Sequence, residues 1–184
     1  MKTLLILVEE PSAKEFFKGI LPRVISNEIR VQYRIFEGKS DLQKRLTKTL
    51  VNWQQPDTTF LVMQDQDSND CHKLKWKLLK LVEDAGKERF LVRIACHELE
   101  TFYLGDLSAV ERGLGLKGIA RQQEREKYRD PDKNPNPSQI LEQLTGGEYQ
   151  KVRGSKLISN HLSLEANRSH SFRVLLEALH TLTE

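Results

Sequence analysis

The sequence predicts an α/β protein: a parallel β-sheet core with helices on both faces, followed by a helical C-terminal extension. Three observations lead there. The first hundred residues alternate strand-like and helix-like segments with short joints, the pattern of a parallel sheet with crossover helices. Two strand segments, residues 3–8 and 60–63, are apolar without a break, as strands buried on both faces are. Near Gly113 the character changes, and glycine, charge and proline take over before the last helical stretches. The 184 residues therefore divide into a core over residues 1–112 and a loop and helical extension over residues 113–184, packed on that core.

Residues 3–8 are the first strand, and a central one. Glu9-Glu10-Pro11-Ser12 ends it, and a helix opens at Pro11 or Ser12. Proline suits a first turn, and Ser12 with Glu15 three residues on is the pattern of a capping box. Phe16, Phe17, Ile20 and Leu21 form its inward face. Residues 30–36 alternate and read as a second strand with one wetter face, at an edge. Ser40 is the expected cap of a helix to about Trp53, with Leu42, Leu46 and Leu50 inward. The third strand runs into the acidic stretch Asp65-Gln66-Asp67-Ser68-Asn69-Asp70. Asp70 is the expected cap of a helix over residues 71–85. Residues 89–96 are a fourth strand, and residues 97–104 turn helical. Residues 121–137 are highly charged and hold Pro131, Pro135 and Pro137, which reads as a mobile or partner-ordered loop. Further helices are expected from Ser138, over residues 152–162, and over residues 171–182.

Bulk properties exclude several classes. Hydrophobic content of 38% supports a packed core, and a net charge of +3 says little about partners by itself. Cys71 and Cys96 are too few for a disulfide scaffold and suit a reducing compartment. The N-terminal apolar run is too short for a secretion signal, and no stretch is long enough to span a membrane. A soluble, cytoplasmic protein with no membrane partner is expected. Three binding motifs fail on inspection. A calcium loop starting at Asp65 needs Gly and Glu where Asp70 and Trp76 stand. A phosphate-binding loop ending in Gly38-Lys39-Ser40 needs Gly where Tyr33 stands. No glycine fingerprint follows the first strand.

Ligands of open α/β sheets bind beyond the carboxyl ends of the strands, and the acids of this chain cluster there. Asp65 and Asp67, two residues apart on an extended chain, project to one side and can share a cation. Glu9 directly follows the first strand and completes the set if strands one and three are neighbours. Hard oxygen ligands of this kind suit magnesium. Glu98 and Glu100 follow the fourth strand; in a helix they diverge by about 200°, so only one faces a shared site, and Glu98 lies nearer the strand end. Lys39, after the second strand, is placed to meet a phosphate. Basic residues gather over residues 112–133 and continue in Lys151, Arg153 and Lys156, a set able to track a nucleic-acid backbone, although acids interspersed among them suit a solvated loop as well. Arg168, His170 and Arg173 crowd cations at a helix start, against the macrodipole, a conflict that a bound phosphate resolves. Cys71-His72 and Cys96-His97 match no common zinc spacing and read as buried cysteines at element ends.

The strand ending in Val8-Glu9, the helix after it and the later strand ending in Asp65-Gln66-Asp67 resemble the Toprim (topoisomerase–primase) domain. Val8-Glu9-Glu10-Pro11-Ser12-Ala13-Lys14 is most similar to the version in OLD-type nucleases, with Glu10 where glycine is usual and Ala13 where an acid is usual. The stretch from Arg93 to Asp106 resembles an uncharacterised Toprim-like bacterial family, often encoded beside ATPases. The resemblance implies a Toprim-like core and a Mg2+- or Mn2+-dependent nuclease acting on DNA or RNA, with Glu9, Asp65 and Asp67 on the metal; from their place after the fourth strand alone, Glu98 or Glu100 is expected to add a ligand or position water. It also implies a setting in bacterial defence or a toxin-like system. Ala13 lacks the carboxylate a second metal would use. The alternative is a non-catalytic regulatory subunit of an ATPase-linked defence system, with a relict Toprim site.

Overall fold

The computed structural model describes residues 2–181. The expected end of the last helix at Leu182 lies outside them. Strands β1 (Thr3–Val8), β2 (Arg30–Ile35), β3 (Thr58–Asp65) and β4 (Phe90–Ala95) form one parallel sheet in the order β2-β1-β3-β4. β1 and β3 are central and adjacent, and β2 is an edge strand, as expected. Helices α1 (Pro11–Ile20), α2 (Lys39–Val51) and α3 (Cys71–Glu83) connect the strands. The rest of the chain forms α4 (Glu100–Leu104), α5 (Leu107–Leu114), α6 (Glu126–Arg129), α7 (Pro137–Leu144), α8 (Lys151–Ile158) and α9 (His170–His180), with short 3₁₀ turns between them.

The unbroken apolar runs are explained by two separate cores. Successive strand side chains point to opposite faces. Leu4, Ile6 and Val8 of β1 enter one core with α1, α4, α5 and α9. Leu5 and Leu7 enter the other, with Leu42, Leu46 and Leu50 of α2 and Leu74, Leu78 and Val82 of α3. Every residue of β1 is buried. The extension is welded to the first core through aromatic rings. Phe16 of α1 lies 5.3 Å from Phe102 of α4 and 6.2 Å from Phe172 of α9, centroid to centroid. Asn167 Nδ2 donates to the Phe102 carbonyl at 2.8 Å. The compositional change at residue 113 falls inside α5 rather than between elements.

Several local expectations are corrected. The Ser12 hydroxyl donates to Glu10 Oε1 at 2.7 Å instead of capping α1, which begins at Pro11. Gly38, not Ser40, precedes α2, and Asn136, not Ser138, precedes α7. Asp70 caps α3 as expected, accepting from the Lys73 N–H at 2.9 Å. Residues 121–137 are not a loose loop. Tyr128 and Pro131 are buried there. Gln123 fixes the segment, its Nε2 donating to the carbonyls of Leu104 and Tyr128 and its Oε1 accepting from the Leu107 N–H. Charge and proline content do not reveal such anchors.

Among the described residues no helix is long and apolar enough to cross a membrane. Gly113 marks the closest approach of α5 to α8. A Cβ there would stand 2.8 Å from both the Ile158 Cα and the Leu157 carbonyl oxygen, backbone atoms that cannot rotate away. Gly113→Ala is therefore expected to lose on the order of 1–3 kcal/mol through overpacking, despite alanine's better helix propensity. Urea denaturation against the wild type measures it.

Candidate metal centre

The parallel register sets the site. Val8 pairs with Met63, so β3 extends two residues past the end of β1. Beyond that point the N–H of Asp65 has no strand partner on the β1 side. Glu9 supplies one: its Oε1 accepts from the Asp65 N–H at 3.0 Å. Both side chains are buried. The first and third strands thus bring Glu9 and Asp65 together, as the sequence predicts.

Asp67 lies just beyond, on backbone that has left the strand. Its φ of +51° is left-handed, as is that of His97 at +59°. An aspartate tolerates this region better than most residues. The two are locked together, with the Asp67 N–H donating to the His97 carbonyl at 2.7 Å. Non-glycine residues in this region store strain, which gathers at functional sites. The Asp67 carboxylate is held by Lys39, 2.8 Å away. Lys39 therefore reaches the acidic edge, as expected.

After β4, the expected preference between the two glutamates is reversed. Glu98 Oε2 accepts the Ser138 N–H at 2.7 Å and so serves the start of α7. Glu100 is wholly buried. Its Oε1 accepts from the Tyr149 hydroxyl at 2.8 Å, and its Oε2 has no hydrogen-bond partner. Nearness to the strand end misleads here because the chain turns at His97 before α4 begins. Lys151 at the start of α8 lies 3.6 Å from Glu10. The sequence does not single out Tyr149, and it offers Lys151 only among basic residues for a nucleic-acid backbone; both come from the extension, 49 and 51 residues after Glu100.

Electrostatics tie these groups into one cluster. Burial pushes the Glu9 carboxyl up to about 7; the Asp65 N–H opposes this, and the charges of Asp67 and Glu10 add to it. Burial raises Asp65 well above the usual carboxylate range, with Glu9, Glu100 and Glu10 pushing the same way. Burial also raises Glu100, against Lys151 and the Tyr149 hydrogen bond. Like charges out of water are costly unless a counter-charge joins them. Among the described residues, no group of three His, Cys, Asp or Glu side chains stands ready to hold a metal ion. The reason is visible: Glu9 is turned to the Asp65 N–H and Asp67 to Lys39. The donors themselves are all carboxylate oxygens, the chemistry that magnesium and manganese take.

The Domain of unknown function (DUF4276) family matches residues 8–180. The chain belongs to this family. Its fold is similar to that of the C-terminal region of the Burkholderia pseudomallei OLD protein, at 17% identity and a TM-score of 0.54, over 98% of each chain. That likeness is one of fold, and it bears out the Toprim-like α/β class. No curated protein matches the chain.

Two of the three cations expected to hold a phosphate at the last helix, Arg168 and Arg173, have other work in this DUF4276 chain. Asp132 occupies that helix start: its carboxylate accepts from the N–H groups of His170 and Ser171, at 2.7 and 3.0 Å, and from the hydroxyls of Ser169 and Ser171. Arg168 pairs with Glu124, and Arg173 Nη1 donates to the Asn167 carbonyl at 3.0 Å. The anion that relieves the macrodipole conflict is the chain's own.

The cluster makes a pH-dependent prediction for the metal-free protein. Folded Glu9 takes up its proton near pH 7, against 4.5 for the free group. Between those values the folded chain holds more protons than the unfolded one, so stability falls as pH rises from 4.5 to 7. Asp65 and Glu100 act in the same direction. Urea midpoints across that interval are expected to decline, and Glu9→Gln to reduce the slope.

Proposed function

We propose that the chain is a metal-dependent phosphodiester hydrolase acting on DNA or RNA, with Glu9, Asp65 and Asp67 as the residues that hold Mg2+ or Mn2+. The observation that supports this most is the set of buried carboxylates at the carboxyl ends of β1 and β3, with Glu100 beside them. The carboxyls of Glu9, Asp65 and Glu100 are all raised by burial. An unpartnered buried oxygen on Glu100 adds to the demand for a cation. A divalent ion at such a site polarises the scissile phosphate and lowers the pKa of a bound water.

The chain's own groups supply the rest. Asp67 joins the carboxylates by leaving Lys39, which then becomes available to a substrate phosphate. Lys151 remains among Glu10, Glu100 and Asp65, whose charges raise its own pKa against the effect of burial. It stays protonated and offsets charge that develops on the phosphate. Tyr149 fixes one oxygen of Glu100 and so aims the other.

A second reading has a specific observation behind it. Without a metal, Glu9 already accepts from the Asp65 N–H, Asp67 pairs with Lys39 and Glu100 accepts from the Tyr149 hydroxyl, as in a relict site in a regulatory subunit of an ATPase-linked defence system. Calorimetric titration with Mg2+ and Mn2+, paired with cleavage assays on DNA and RNA, separates the two. The hydrolase reading expects metal binding that the Asp65→Asn, Asp67→Asn double variant loses, with cleavage reduced by about 10²-fold or more. Undiminished cleavage by the double variant would overturn the assignment. No binding at millimolar metal supports the regulatory reading.

A further inference from the structure

Charge on this chain is unevenly placed. α2 and α3 each carry four Lys or Arg and one carboxylate. The two helices are thus six charges positive in a chain whose total is +3, which leaves the remainder negative. They pack side by side on one face of the sheet, joined by the Thr47 hydroxyl donating to the Leu81 carbonyl at 2.8 Å. Both begin at the sheet edge that holds the acids: Lys39, the first residue of α2, grips Asp67, and α3 starts straight after Asp70.

The outer face of α3 is the unusual part. Lys73, Trp76, Lys77 and Lys80 fall at helical spacing on a single stripe. Lys73 and Lys77 are four residues apart and Lys77 and Lys80 three, so like charges face each other where helices usually alternate sign. The first turn itself contains no acid, and the carboxylate at its start is Asp70, which caps the helix beside Lys73. In the middle stands Trp76, 64% exposed. Lys80 lies over its ring, 5.7 Å from the centroid. The stripe leads toward the acidic loop through a cleft of about 220 Å³ lined by Gln43, Asn69, Asp70, Lys73, Leu74 and Lys77.

We propose that the outer face of α2 and α3 docks a single-stranded nucleic acid, its backbone on the lysines and one unpaired base stacked on Trp76. This rests on the hydrolase reading for the strand's destination, since the stripe ends at Asn69 and Asp70, in the loop that follows Asp67. The charge calls for a polyanion, which would relieve the lysine repulsion. The exposed indole calls for a partner with a free aromatic face, which unpaired bases offer and stacked duplexes do not. Alternating cation and aromatic is the arrangement that single-strand grooves use.

The test is fluorescence anisotropy of the full chain in EDTA, with fluorescein-labelled 20-nucleotide single strands of DNA and RNA and the matching DNA duplex. EDTA prevents cleavage, so an inactive protein does not bear on the outcome. Single strands are expected to bind tighter than the duplex, and whichever of DNA or RNA is tighter identifies the polymer. Lys73→Ala and Lys77→Ala should each reduce the slope of log affinity against log salt by about 0.7. Trp76→Ala should weaken binding about ten-fold with the salt slope unchanged, and should abolish quenching of tryptophan fluorescence on binding. Circular dichroism checks that each variant is folded; Trp76 is exposed enough for its loss to spare the core. Unchanged affinity in the Lys73→Glu, Lys77→Glu double variant would overturn the proposal. So would a preference for duplex with Trp76 silent, or equal binding to polyglutamate or anionic vesicles. If the double variant still cleaves as the wild type does, the docking surface falls and the hydrolase reading stands.

Discussion

The end of a hydrogen-bond ladder organises this molecule. β3 continues past the end of β1, so the Asp65 N–H meets no backbone acceptor on that side. A buried N–H without a partner costs about 1–3 kcal/mol, and the chain meets the need with the Glu9 carboxylate. That solution places one acid beside another in a region shielded from water. Glu9 raises Asp65, and Glu100 and Glu10 add to it. The surrounding structure then answers the accumulated charge piece by piece. Lys39 reaches across from α2 to Asp67, Lys151 comes from α8 to Glu10, and Tyr149 donates to Glu100.

Those answers require the extension to be where it is. Lys151 and Tyr149 flank the start of α8, whose position follows from two tight contacts. Gly113 lets α5 approach the α8 backbone, and Gly154 leaves room for the Tyr149 ring, which would lie 2.3 Å from an added Cβ. The aromatic cluster of Phe16, Phe102 and Phe172 fixes α1, α4 and α9 around the same core. Asp132 holds α9 at its N-terminus. The segment beyond residue 113 thus supplies both a counter-charge and a hydrogen-bond donor to carboxylates near the strand ends.

What the sequence makes legible follows the range of each interaction. Strands buried on both faces announce themselves as apolar runs, so β1, β3 and their adjacency to Glu9 and Asp65 can be read directly. Asp70 is legible because its bond to Lys73 spans three residues. Ser12 and Ser40 mislead because a cap depends on backbone direction, and Glu10 and Gly38 determine that direction here. Glu98 misleads for a longer-range reason: its carboxylate serves Ser138, forty residues away. The partners of Asp132 and Lys151 are not legible in the sequence because each sits in a mixed-charge stretch, and only the fold sorts the charges that pair from those that approach the buried acids. The lysine stripe on α3 is written plainly in the sequence, but its leucines draw attention to the inward face.

The distribution of charge gives the two sides of the sheet different characters. One side is covered by α1 and the extension, which surround the buried acids with rings and with a tyrosine hydroxyl. The other carries the lysine-rich layer of α2 and α3. Carboxylates alone would repel a phosphodiester, so a site of this kind needs cations that are near the acids without all being neutralised by them. Lys39 meets the condition at the boundary, because it is bound to Asp67 yet half exposed. An exposed ion pair of this sort contributes about 0–1 kcal/mol, so exchanging its partner costs little. In the proposed hydrolase, buried Glu9 and Asp65 would hold the fixed part of the site, and the Asp67–Lys39 pair would form its adjustable rim. The left-handed backbone at Asp67 and His97 fits that division, since both residues lie beyond the strand ends and not in the strands that carry Glu9 and Asp65 to their places.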